Sequence, residues 1–186
     1  MISWWAVATK TRGKTPTKQP PASGDAGVLE MYEDNLRALE KLAASAKGNL
    51  RDRLGTIFHD QVDLIRPQRD ALGAIAARLL DAREPVSAFS KQTHAARERG
   101  VKAIEKALDG VAPDLRPLAA NALWLMMLSS WLFYLSDEAD GKRTHAMIDE
   151  LLDMAVMLLP WFGTPFVKPM IDRIAAGFDK VGIKLT

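Results

Sequence analysis

The chain has 186 residues, of which 48% are hydrophobic and 26% charged, with no cysteine and a formal charge of +2. That length suits one domain with a sizeable core, and the absence of cysteine excludes disulfide scaffolds, cysteine-type zinc sites and thiol catalysis. The charge is uneven: residues 1–23 hold Lys10, Arg12, Lys14 and Lys18 and no acid, which leaves a net −2 on the other 163 residues.

Residues 1–8, MISWWAVA, have no basic stretch ahead of their apolar patch, so they make a poor secretory signal. Residues 9–23 mix three prolines with Lys, Thr and Gln, the composition of a solvated, disordered tail or linker. The triplet Gly13-Lys14-Thr15 is not a phosphate loop, because the glycine required at position 8 is Ala8. The four cations are the only footprint for nucleic acid or a membrane surface, for instance as a minor-groove arm.

From Gly24 onward apolar residues recur at three- and four-residue spacing and runs of alternation are nearly missing, which predicts an all-α body. Residues 27–46 align Val28, Met31, Tyr32, Leu36, Leu39 and Leu42 on one stripe. Residues 50–65 do the same with Leu50, Leu54, Ile57, Phe58, Val62 and Ile65, and Pro67 opens a new helix over 67–81. A loop is expected over 83–90, then a more polar helix over 91–108, closed by Gly110 and Pro113.

Residues 117–136 run for twenty positions without a charge, the length that spans a bilayer. Against insertion stand Asn121, Ser129 and Ser130 within the segment, acidic residues just beyond it, and a slightly negative mean hydropathy for the whole chain. A helix apolar all round also suits the centre of a soluble protein that packs on its own domain and on a second subunit. A further amphipathic helix over 142–159, ending before Pro160, would pair with it as an antiparallel hairpin, and two hairpins would make a four-helix dimer interface. Leu123, Ile148, Leu151, Ala155 and Leu158 are the residues expected in that interface. Residues 161–186 end the chain in a short helix, giving a bundle of about seven helices.

The chemistry of catalysis is sought without success. The histidines are His59, His94 and His145; none has a glutamate three residues ahead, and no HExxH, nucleophile elbow or glycine-rich strand-to-helix turn occurs. His59, Asp60 and Asp63 could form a metal corner, but a fourth ligand is not evident and polar surface is the simpler reading. No catalytic, metal, cofactor or DNA-binding set emerges, and the expectation is a non-enzyme. Trp124, Met127 and Trp131 recur at helical spacing and could line an adaptable apolar cavity, with Phe58, Phe89 and His94 facing them; ordinary core is the competing reading.

The opening VLEMYEDNLRALEKL, the proline in DLIRPQRDALGAIAARLLD, the loop DAREPVSAFS and the hairpin LRPLAANALWLMMLSSWLFYLSDEADGKRTHAMIDELLDMAVMLLP together resemble the effector-binding and dimerisation domain of the TetR family of transcriptional regulators. The likeness covers about residues 24–165 and lies in helix order and breakers. It implies a cytoplasmic homodimer built on the last two long helices, with a pocket for a small, apolar effector. In that family a helix-turn-helix module precedes the helix matched by 27–46. Three helices do not fit in residues 1–23, so the resemblance implies a domain without its own DNA reader, acting through a missing or partner module. The alternative is a membrane-associated helical protein inserting 117–136.

Overall fold

The structure, a computed structural model, describes residues 24–162 and 164–180. The basic stretch 1–23 and the end of the chain, including Val181, lie outside the described residues. Among the described residues the fold is all helical, a bundle without a strand.

Helix α1 (Asp25–Ser45) buries Val28, Met31, Leu36 and Leu39 of the predicted stripe and half-buries Tyr32 and Leu42, and Gly24 opens it at φ 91°, a backbone setting that suits glycine. Helix α2 (Leu50–Ile65) starts with a capping box: Asn49 accepts from the Asp52 N–H at 2.9 Å, and the Asp52 carboxylate accepts from the Asn49 N–H at 3.2 Å. Pro67 does not begin an α-helix directly. It sits in a 3-10 turn, Arg66–Gln68, that joins α2 to α3 (Arg69–Leu80) with no intervening loop residue.

The segment after α3 is more ordered than a surface loop. Val86, Ser87, Ala88, Ser90 and Thr93 are buried. Ser87 Oγ donates to Leu79 O at 3.1 Å, Ser90 Oγ to Pro85 O at 2.7 Å, and Thr93 Oγ1 to Ser87 O. Hydroxyls thus satisfy carbonyls that no ladder serves, which lets the segment enter the core. Helix α4 (His94–Ala107) begins three residues later than the periodicity suggests, because these turns consume residues 91–93. Arg53 reaches from α2 to Ala107 O and Asp109 O at the end of α4.

Helix α5 (Arg116–Ser136) is central, packing on α2, α3, α4 and α6. Its inner face places Ala119, Ala120, Leu123, Trp124, Met127, Ser130 and Tyr134 in the shared core. Among the described residues it is the one helix long and apolar enough to cross a membrane. Helix α6 (Lys142–Phe162) packs more extensively on α2 than on α5. It does not stop before Pro160 but continues to Phe162. So close to the helix end, proline forfeits one bond, to the carbonyl of Val156, and buried Leu159 holds the turn in place.

Asp137, in the α5–α6 turn, accepts from both the N–H and the hydroxyl of Thr144 at 2.7 Å, capping the start of α6. Burial pushes that carboxyl up, but the hydrogen bonds from Thr144 and Glu138 outweigh it and hold it below the usual carboxylate range. Helix α7 (Lys168–Lys180) follows, and its described side chains are exposed.

Candidate functional site

Two polar groupings flank helix α2, and they differ in kind. The first is a seam between α2 and α6. Arg51 donates to Asp149 at 2.8 Å and also pairs with Asp153. His59 Nε2 lies 3.0 Å from Asp149 Oδ1, and His59 Nδ1 lies 2.6 Å from His145 Nδ1. A carboxylate only accepts, so His59 donates from Nε2; in the neutral ring its Nδ1 then accepts from the Nδ1–H of His145. Arg51 holds the Asp149 carboxyl below its ordinary range, with His59 adding to the effect. Asp60 stands apart from this seam, exposed, whereas Asp63 pairs with Arg66 and its Oδ1 lies 3.5 Å from His145 Nε2, at the far end of the seam. Among the described residues no group of three or more His, Asp or Glu side chains could hold a metal ion.

The second grouping lines a cavity of about 50 Å³ walled by α1, α2, α4, α5 and the buried segment before α4. Its apolar wall comes from Leu36, Leu39, Trp124, Met127, Leu128 and Trp131. A second space of about 30 Å³ adjoins it, floored by Leu72, Leu79 and Leu80, and shares Tyr32, Asn35, Ala88, Leu128 and Trp131 with the first. Gly100 allows the wall to form. A Cβ there would come within 3.3 Å of the Trp124 indole nitrogen.

Three polar side chains in this wall, Asn35, Gln61 and Trp131, have no partners. Asn35 is 3% exposed and Gln61 0%, yet neither amide oxygen nor nitrogen of either side chain has a hydrogen-bond partner in the protein. The Trp131 indole N–H is likewise buried and unpaired. An unpaired buried polar group costs about 1–3 kcal/mol, so native proteins keep few of them, and the residues that line this one cavity carry five such atoms. Tyr32 lies beside them, its phenol pushed up to about 12 by burial, so it stays neutral. Arg97 closes the rim, with burial pushing its guanidinium down from the ordinary value. It donates to Ala88 O at 3.1 Å, and its Nη2 lies 2.9 Å from His94 Nδ1.

Of the six side chains expected to meet a ligand, Trp124, Met127 and Trp131 line the cavity. Phe58, 1% exposed, belongs to the closed core instead. Phe89 stands behind the wall, edge-on to Trp124 with ring centroids 6.1 Å apart. His94 is exposed and reaches the site only through Arg97. Of the residues expected at a subunit interface, Leu123 and Ile148 are buried inside this chain and offer a partner almost no surface. Leu151 and Ala155 are half-buried and Leu158 is exposed, next to exposed Met154, Met157 and Trp161.

Sequence reading misses Asn35, Gln61, Thr93 and Arg97 as site residues. A signal for two of them exists: Asn35 sits between Met31 and Leu39 at four-residue steps, and Gln61 follows Ile57 by four, so both are polar residues at core positions. No family model and no curated protein sequence matches the chain.

Proposed function

We propose that this chain is a TetR-like ligand-sensing and dimerisation domain with a binding rather than a catalytic role. The observation that carries the reading is the cavity under Trp124, Met127 and Trp131, whose wall holds unpaired amides among apolar side chains, the make-up of a site for a small molecule. The ligand would prefer one setting of α1 and α4 against α5, and so shift the population of that setting. The DNA-reading step belongs to a helix-turn-helix module on a partner or elsewhere in a longer chain. The exposed end of α6, with Met154, Met157, Leu158 and Trp161, supports the dimer part, because a second copy would cover it.

Light scattering on the untagged chain without detergent tests this. A mass near 41 kDa, twice the 20.5 kDa of one chain, that falls to the monomer in Leu158→Asp is the expected result. A monomer at all concentrations refutes the dimer. Protein recovered only with detergent refutes the whole reading and favours insertion of α5.

A further inference from the structure

We infer that the ligand of this cavity is neutral and presents an amide-type edge, a carbonyl acceptor beside an N–H donor, on a compact apolar body. The inference rests on the sensing role proposed above and specifies the chemistry of the molecule sensed. Leu36, Leu39, Trp124 and Met127 make a wall that accepts hydrocarbon. Asn35 and Gln61 do not, for each offers one acceptor oxygen and one NH2 donor group, buried and unpartnered.

Each ligand class can be weighed against that pair. A hydrocarbon leaves both amides and the Trp131 N–H unpaired, so it gains area and nothing else. A carboxylate answers the donors but faces two carbonyl oxygens, and the cation at the rim, Arg97, has one terminal nitrogen turned to Ala88 O and the other to His94. An ammonium finds no acidic side chain among the residues that line the cavity. An amide, lactam or urea edge satisfies donors and acceptors together, and a further carbonyl could accept from Trp131. The two adjoining spaces, about 50 and 30 Å³, admit only a compact molecule.

Three probes of one shape separate these classes: benzamide, isopropylbenzene and benzoate. Each is titrated into the full chain labelled with ¹⁵N, with the Asn35 and Gln61 side-chain NH2 signals and the Trp131 indole N–H as reporters. The expected result is benzamide binding at least tenfold tighter than either of the others and moving all three reporters. The double variant Asn35→Leu with Gln61→Met should weaken benzamide at least tenfold and strengthen isopropylbenzene. Should that variant not fold, the ranking on the unaltered chain still decides. Isopropylbenzene equal to benzamide at the same reporters would overturn the amide class and leave a sensing cavity standing. Benzoate as the tightest probe would overturn it in favour of an anion. No response at any reporter up to the solubility of all three would remove both the ligand class and the sensing role.

Discussion

Helix α2 carries two polar regions on different faces, and they are finished to different degrees. Toward α6, Arg51 and His59 reach partners, so their burial is compensated and the seam is structural. Toward α1 and α5, Gln61 shares a cavity with Asn35 and Trp131, and none of the three has a partner for its polar atoms. The polarity of a residue says little about its role; whether the fold satisfies it says more. The half-buried, paired histidines are framework, and the fully buried, unpaired amides mark the candidate site.

Four changes break or sharpen this contrast. The largest removes what both regions stand on: Phe58→Ala, in the core of α2, should cost about 3–5 kcal/mol in urea unfolding, because the ring leaves a cavity. The seam and the cavity should then respond with opposite signs. Arg51→Met strips Asp149 and Asp153 of their cation and should destabilise by about 1 kcal/mol, a value kept small by the exposure of both carboxylates. Asp149 is held low when folded. Its contribution is therefore present above the unfolded value near pH 4 and is lost as pH falls through the lower folded value. In Arg51→Met the decline of melting temperature below about pH 4 should be shallower. Asn35→Leu should instead stabilise by roughly 1 kcal/mol, since it deletes two unpaired buried atoms; a destabilisation of that size would mean the amide is satisfied in solution. The smallest effect on stability belongs to Gly100→Ala. Helix propensity gains and the close approach to Trp124 should nearly cancel, within about 0.5 kcal/mol, while benzamide affinity falls as the wall moves inward.

The helical frame is legible in the sequence because apolar periodicity and breakers are local signals. The stripe of α1, the span of α2 and the uncharged run of α5 are all read directly from spacing. Trp124, Met127 and Trp131 are legible for the same reason, as large side chains on one helical face. What spacing does not reveal is where the remaining polar atoms end. His145 meets His59 across 86 positions, and Arg97 turns back to Ala88 through a segment whose hydroxyls tie it into the core. Phe89 and His94 do not line the cavity, because that tied segment and the later start of α4 turn one behind the wall and the other to solvent. Ile148 and Leu123 illustrate a further limit: an apolar stripe does not say whether its cover comes from the same chain or another.

The direction of the histidine relay also sets a grammar for substitution. In the neutral pair, His59 must give a hydrogen at one end and receive one at the other, since a carboxylate waits at Asp149 and a ring nitrogen at His145. His145 gives at Nδ1 to His59, and its Nε2 lies 3.5 Å from Asp63 Oδ1, a second acceptor. Position 59 is therefore restricted to side chains that both donate and accept, such as Asn or Gln, whereas position 145 lies between two acceptors, His59 and Asp63, and can take a side chain that only donates, Lys and Arg included. Two identical residues facing one another at 2.6 Å thus carry unequal information.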